Sequence, residues 1–410
     1  MPLDLVLRRA RVAGQPGALL DIGIHDRRIA AIEPHIATEA PEEDLDGRLV
    51  IPGLVETHIH LDKSCILDRC RSAKGTLEEA VAEVAALKRT FTENDVYERA
   101  RRTLEKAIVQ GTTHMRTHLE VDPRVGLRSF KAIHRLKEDY SWAVDLEICV
   151  FPQDGLINDP GTEELIVQAC MEGADLVGGC PYTDTHPNEH IERIFAIARR
   201  FDIDIDFHLD FDLDPSWMHL DEVCRQTEQH RWGGRVAIGH ATKLSAIDSG
   251  SLAVIGRRLA DVGIAVTVLP ATDLFLTGSG HDHSIPRGVA PVHRLVQHGV
   301  TCSLATNNVL NPFTPFGDCS LIRMANLYAN VARLGRAEDI AGCLDMVTTF
   351  AAKLMNLPDY GIALGGPADL VVLDCFDAAS AVSELSQPLL GLKNGRRSFT
   401  RKAAVLNGPC

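Results

Sequence analysis

Hydrophobic and polar positions follow one pattern at the two ends of the chain and another in its middle. Near the start, residues 20–25 and 28–32 alternate in polarity and flank a two-residue turn, which is typical of a β-hairpin. Near the other end, residues 368–373 form a short apolar run, and residues 389–393 lead into an Asn-Gly turn. These patterns predict that both chain ends together build one small β domain.

In the middle of the chain, eight short β-type segments alternate with helical ones. Such alternation is typical of a (β/α)8 barrel, and a doubly wound open sheet is the alternative. The open sheet is disfavoured because no glycine-rich phosphate loop follows the first segment. The eight predicted strands span residues 55–60, 112–121, 146–151, 176–180, 203–208, 235–240, 264–269 and 300–305.

Helix-start signals support this alternation. Thr76 with Glu79 forms a capping-box pattern, and Thr92 is an N-cap candidate for a helix that ends near Gly111. Further helices are predicted over residues 163–172, 191–200, 221–230 and 291–298. The predicted fold is therefore α/β, with a TIM barrel over residues 53–360 and a small β-sandwich domain built from residues 1–52 and 361–410.

Composition narrows the classes of partner. The 410 residues carry a net charge of −14, which argues against nucleic acid because phosphate binding needs clustered cations. No apolar run is long enough to cross a membrane, and the N-terminus lacks a signal-peptide pattern. The 11 cysteines form no tight framework, which indicates reduced thiols. We expect a cytoplasmic protein that acts on a small-molecule substrate and binds neither nucleic acid nor membranes. The sequence leaves open whether it forms a homo-oligomer.

Histidines stand where a TIM barrel carries its chemistry, at the C-terminal ends of the strands. The first strand ends in His58 and His60, which are two residues apart and therefore point to the same side. The fifth strand ends in His208 and the sixth in His240. Imidazoles converging from several strands indicate a metal centre.

Other polar residues are placed at strand ends too. Gln153 follows the third strand, and its amide can both donate to and accept from an amide-like substrate edge. Asn307 and Asn308 follow the eighth strand, and the long segment 272–288 is predicted to cover the mouth of the barrel. That segment could supply Asp273, His281 or His283, and a mobile surface loop is the alternative. On the second strand, four alternating polar residues share one face and predict a buried supporting network: His114, Arg116, His118 and Glu120.

Together these stretches resemble the amidohydrolase superfamily, and above all its bacterial cytosine deaminase-like branch. The opening His-Leu-Asp-Lys-Ser is also similar to that of s-triazine side-chain amidohydrolases. The matching segments are residues 51–63, 113–118, 151–153, 208, 239–240, 311–317, 360–362 and 368–371.

The resemblance implies a barrel with a β-sandwich built from both chain ends. It implies one divalent ion, zinc or iron with manganese as a further candidate, held by residues matching His58, His60 and His208. The residue matching His240 would lie beside the attacking water and the reacting carbon. The residue matching Gln153 would hold the substrate ring.

Two positions depart from the family pattern. Asn307 stands where the family has an aspartate that ligates the metal and takes a proton, and Phe211 stands where cytosine deaminases place a proton-shuttling glutamate. We therefore place Asn307 among the catalytic candidates and expect ordinary cytosine deamination to be poor. Asp210, or Asp62, could take over as the base.

The predicted function is metal-dependent hydrolysis of a C–N bond in a small nitrogen-rich ring. The catalytic candidates are completed by His240, and the substrate-binding candidates are Gln153, Asp62, Phe211 and Asn308. The alternative is a diverged protein that binds a small ligand without hydrolysing it.

Overall fold

Eight parallel strands form the centre of the computed structural model, which describes residues 2–15, 17–71, 73–402 and 404–407. Each strand pairs with the next in chain order. The last returns to the first through a bridge between Ile59 and Asn307, where the His60 N–H donates to the Asn307 carbonyl at 2.8 Å. This closure confirms the predicted barrel. Its strands are β6 Leu54–Ile59, β7 Thr112–Glu120, β8 Asp145–Phe151, β9 Leu176–Gly179, β10 Asp204–Leu209, β11 Val236–His240, β12 Ile264–Val268 and β13 Cys302–Leu304.

The helices pack around this barrel or join it to the chain-end region. Thr76 and Thr92 cap two of them as predicted, since each side chain accepts the N–H of the residue three positions later. Gly111 adopts φ +94° just past the second of these helices. The helices are α1 Leu77–Leu87, α2 Glu93–Val109, α3 Arg128–Asp139, α4 Thr162–Met171, α5 Pro187–Phe201, α6 Leu220–His230, α7 Ser249–Val262, α8 Pro270–Leu276, α9 Val292–Val296, α10 Leu321–Ala332, α11 Ala337–Asp345, α12 Thr349–Leu354 and α13 Ala378–Ser383.

Two element predictions need correction. The segment 272–288 does not run as one long loop, because its first residues continue α8, which Pro270 opens at a position where proline is favoured. The helix predicted over 291–298 is shorter and ends at Val296.

Both chain ends contribute to a second sheet, as predicted. Strand β5 from the N-terminal part pairs antiparallel with β14 from the C-terminal part, with Val50 opposite Val372. The predicted hairpin is β2–β3, and its turn residues Asp26 and Arg27 both have positive φ, 43° and 70°, as a twisted two-residue hairpin turn requires. The domain boundaries at residues 52 and 361 stay a prediction. The strands are β1 Leu5–Val12, β2 Leu20–His25, β3 Arg28–Glu33, β4 Glu42–Asp44, β5 Leu49–Pro52, β14 Leu370–Leu373, β15 Pro388–Lys393 and β16 Arg396–Thr400.

Aliphatic side chains fill two main cores, one around the barrel strands and one in the chain-end sheet. The ten cysteines within the described residues are free thiols. Across the same residues, no helix combines the length and apolar character needed to cross a membrane.

Candidate active site

Three buried imidazoles converge at the C-terminal mouth of the barrel. His58 lies near the end of β6, His60 directly follows it, and His208 lies near the end of β10. The Nε2 atom of His208 lies 3.1 Å from the Nε2 atoms of both His58 and His60. Burial lowers the pKa of all three rings well below the ordinary value, and the neighbouring cationic groups lower it further. The three rings are therefore neutral, with nitrogen lone pairs available.

Neighbouring groups fix how these rings face. The Nδ1–H of His60 donates to the carbonyl of His118 at 3.0 Å, which turns its Nε2 towards the other two rings. The His118 ring stacks on His58 with centroids 3.7 Å apart. Three neutral imidazole nitrogens that face one point are the donor set of a divalent zinc-type centre, so these residues could hold such an ion.

A fourth histidine is held by a carboxylate. His240 ends β11 with φ +69°, and its Nδ1–H donates to Asp273 Oδ1 at 2.6 Å. The other carboxylate oxygen of Asp273 accepts the N–H of Leu269 at 3.1 Å. Burial raises the pKa of Asp273, and the partnership with His240 opposes that rise. The neutral ring therefore carries its proton on Nδ1 and presents Nε2 as an acceptor on the side away from Asp273.

A small cavity lies against three of these histidines, His60, His208 and His240. The Phe211 ring lines it and meets the His240 ring edge-on, with centroids 4.5 Å apart. Asn307 also lines it, in left-handed backbone (φ +65°), and its amide oxygen is buried without a partner among the described residues. Asn308 and Gln153 complete the set of predicted residues that reach the cavity.

A chain of buried charges borders the cavity. The Nζ of Lys63 donates to Glu120 Oε1 at 2.7 Å and to Gln153 Oε1 at 3.2 Å. The Nζ of Lys88 donates to the other oxygen of Glu120 at 2.7 Å. Burial alone would raise the pKa of Glu120, but the two ammonium groups outweigh it and lower this pKa to about 2. Glu120 is thus a shared anion that positions Lys63.

Two predicted carboxylates do not line the cavity. Both carboxylate oxygens of Asp210 accept main-chain N–H groups, those of His219 and Leu220, at the start of α6. The Asp62 carboxylate likewise accepts the N–H groups of Lys63 and Glu120. Their positions favour structural roles and correct the expectation that either carboxylate faces the substrate.

Two histidines of the segment 272–288 also stay away from this cavity. His281 lies beside a separate surface cavity, and the side chain of His283 is 88% exposed. Of the three candidates that this segment offered, only Asp273 reaches the site.

Sequence reasoning assigned no role to Lys63 or Asp206. Asp206 is fully buried and accepts from Arg116 at 2.9 Å, beside the His118 ring that stacks on His58. Its spacing of two residues before His208 on β10 was a usable signal, since both side chains point into the barrel. Lys63 carried no such signal, because a lysine in a loop is ordinarily exposed.

Comparisons with known proteins agree with this geometry. The chain matches the model of an amidohydrolase family over residues 42–139 and 138–399. It is 27% identical over 404 residues to N-isopropylammelide isopropyl amidohydrolase of Pseudomonas sp. (strain ADP), covering 96% of each chain. It is 28% identical to pterin deaminase of Rhizobium rhizogenes, covering 94% of this chain and 87% of that one. Among solved structures, 5-methylcytosine deaminase from Klebsiella pneumoniae liganded with 5-fluorocytosine superposes with a TM-score of 0.93 at 27% identity, covering 98% and 99% of the two chains.

Proposed function

The chain belongs to the amidohydrolase family of C–N bond hydrolases, and from that premise we propose that it is a metal-dependent hydrolase that removes an amino group or amine from a small nitrogen heterocycle. The convergence of the Nε2 atoms of His58, His60 and His208 beside a small cavity lined by polar side chains carries the proposal. The relatives whose names state a substrate of this kind support the substrate class.

We assign metal binding to these three histidines. A bound divalent ion supplies positive charge that makes water more acidic and the ring carbon more electrophilic. Asn307, with its unpartnered amide oxygen, is an additional neutral ligand candidate. Zinc, iron and manganese all accept imidazole nitrogen, so the donor set leaves the metal open.

Proton handling falls to His240 in this proposal. The water oxygen bonds to the ring carbon while its proton passes to His240 Nε2, and His240 then gives that proton to the nitrogen that leaves as ammonia or an amine. Asp273 keeps the imidazole in the tautomer that can do so and stabilises the imidazolium. The polar atoms of Asn307 and Gln153 position the ring, while Phe211 covers it.

A panel assay tests the function. The purified protein is analysed for zinc, iron and manganese, and amino-pyrimidines, purines, pterins and s-triazines are screened for release of ammonia or amine. We expect one metal ion per chain and turnover of at least one of these classes. The double variant His58→Ala/His60→Ala should lose the metal, whereas His134→Ala on the outer face of α3 should keep it. Stoichiometric metal in the double variant would refute the ligand assignment.

The absence of a carboxylate at positions 307 and 211 favours a second candidate, a protein that binds a ring without hydrolysing it. The same panel separates the two. Tight binding of a ring by the metal-loaded protein, with no turnover of any member, would establish binding and exclude hydrolysis of these four classes.

A further inference from the structure

We propose that the cavity binds its ring substrate as an anion. Lys63 and Gln153 form one side of the cavity, and towards a ligand this side offers only hydrogen-bond donors. The substrate class is a six-membered nitrogen heterocycle with a ring carbonyl beside an ionisable ring N–H, bound as its conjugate base. This inference rests on the proposed function, because it assigns the substrate class of the same site.

Lys63 provides the first donor. Its side chain is almost fully buried and lines the cavity, and its ammonium lies 4.5 Å from the centre of the Phe313 ring. An ammonium has three hydrogens, and two are used by Glu120 and Gln153. Among the described residues no further acceptor is found for the third, so a ligand in the cavity can take it.

The contact with Lys63 also fixes the orientation of the Gln153 amide. An ammonium can only donate, so the amide oxygen must face Lys63 and the amide nitrogen must point the other way. Among the described residues that nitrogen has one hydrogen-bond acceptor, the sulfur of Cys180 at 3.5 Å, which is a weak acceptor. Gln153 therefore meets a ligand as a donor, and a ring edge that pairs with Lys63 and Gln153 needs two acceptors.

The charge balance favours an anion at this edge. Lys88 has two further carboxylate partners, Asp122 and Asp154, so Glu120 is available to Lys63. Within the cavity lining itself, Lys63 is the one lysine or arginine among the described residues. No aspartate or glutamate is among the described residues that line the cavity. A deprotonated N–C–O edge supplies both the acceptors and a negative charge opposite the Lys63 ammonium, and burial strengthens such a pairing because water does not compete.

Binding of 6-azauracil and uracil tests the proposal. The two rings differ by one ring atom, and at mildly alkaline pH 6-azauracil is largely ionised whereas uracil is not. Isothermal titration calorimetry of the metal-loaded protein should show 6-azauracil binding at least about tenfold tighter, as one charge-assisted hydrogen bond predicts. In Lys63→Met, or in Lys63→Gln if the methionine variant does not fold, this preference should disappear.

Lys88→Met is the matched control, because it also removes an ammonium from Glu120 but does not touch the cavity. It should keep the preference. Equal affinities in the unmodified protein would overturn the proposal while leaving the proposed hydrolase intact. A preference that survives at Lys63→Met, or is lost equally at Lys88→Met, would also overturn it. Failure of both rings to bind would count against the proposed function as well.

Discussion

Asn307 follows the eighth barrel strand with its amide oxygen buried beside the three metal-ligand candidates. An amide oxygen can ligate a metal, but it has no charge and does not accept a proton near neutrality. The absence of an anion at this position weakens the attraction for a divalent ion and leaves proton transfer to another group. The residue at position 307 therefore affects both the affinity for the metal ion and the rate of hydrolysis.

We expect Asn307→Asp to raise metal affinity and to raise cytosine turnover, by up to about 10²–10⁴-fold, the usual contribution of a general base. The gain should be larger with Phe211→Glu, which adds a proton donor on the other side of the ring. Metal occupancy and ammonia release measure both effects. Asn330→Asp on the exposed side of α10 is the control for the added charge, and it should change neither quantity. Efficient cytosine turnover by the unmodified protein, with no gain in Asn307→Asp, would show that this position is misassigned.

Asp273 holds His240 in the tautomer with its proton on Nδ1. The variant Asp273→Asn should favour the opposite tautomer, with the proton on Nε2. The two oxygens of Asp273 accept from His240 and from the N–H of Leu269. Because the Leu269 N–H can only donate, the single oxygen of an asparagine must face it, and the amide N–H₂ then faces His240 Nδ1. The ring must move its proton to Nε2 and cannot act as a base.

Asp273→Asn should therefore lower kcat by about 10²–10⁴-fold while metal content, melting temperature and KM change little. Asp282→Asn, in the exposed part of the same segment, should leave kcat unchanged. An Asp273→Asn variant that loses its metal, or one that keeps full kcat, would contradict the positioning role.

At the scale of elements, one carboxylate holds the segment that carries Gln153. Asp184, after β9, accepts the main-chain N–H groups of Leu156, Ile157 and Asn158, and also the Nδ1–H of His190 on α5. Burial alone would raise the pKa of Asp184, but these hydrogen bonds outweigh it and hold this pKa below its ordinary value. Gln153 is thus positioned through a loop that is tied to the next strand.

Asp184→Ala should destabilise the protein by about 1–3 kcal/mol, because three main-chain N–H groups, of which that of Leu156 is buried, lose their acceptor, and should raise KM by freeing Gln153. A carboxyl with a lowered folded-state pKa stabilises the fold above its unfolded pKa of about 4. That stability is lost as pH falls further, so the variant should lose less stability than the unmodified protein in acid. Melting curves from neutral pH to about pH 3 measure this. Asp377→Ala, which removes the N-cap of α13, should lower stability without changing KM.

Much of the element pattern could be predicted from the sequence because its signals are local. The caps at Thr76 and Thr92 and the hairpin turn before Arg28 depend on neighbours within a few residues. Helix α8 was missed because it is only seven residues long and is followed by glycine and polar residues, which indicate a loop. Helix α7 was also missed, although Asp248 caps it, since its first turn contains Ser-Gly-Ser.

The candidate site likewise contains residues that could be predicted from local sequence and residues that could not. The histidines could be predicted because strand alternation fixes which side chains share a face. The roles of Lys63 and Asp273 could not, since each depends on a partner far away in sequence, Glu120 and His240. Asp210 was predicted to be a catalytic candidate, but its carboxylate accepts two N–H groups at the start of α6. Nothing local in the sequence indicates that contact.

At the scale of the whole molecule, a buried lysine joins the chain-end sheet to the barrel. The Nζ of Lys393, at the end of β15, lies 2.6 Å from Asp369 and 2.6 Å from Asp145 at the start of the barrel strand β8. It also approaches His114 on β7 at 3.5 Å, and burial together with this lysine lowers the pKa of His114 to about 4. The Lys393 side chain is 1% exposed and that of Asp369 6%, whereas that of Asp145 is 59% exposed. Lys393 is thus the charge that compensates a buried carboxylate where the two parts of the fold meet.

Lys393→Met should therefore destabilise the protein by about 3–5 kcal/mol, the cost of leaving a buried charge without its partner. Arg397→Met is the matched control on the neighbouring strand β16, because its partner Glu43 is exposed and such pairs contribute about 0–1 kcal/mol. Urea unfolding followed by circular dichroism compares the two variants, and the double variant Lys393→Met/Asp369→Leu should recover part of the loss. If Lys393→Met unfolds at the same urea concentration as Arg397→Met, the junction depends on the apolar contacts around Lys393 and not on its charge.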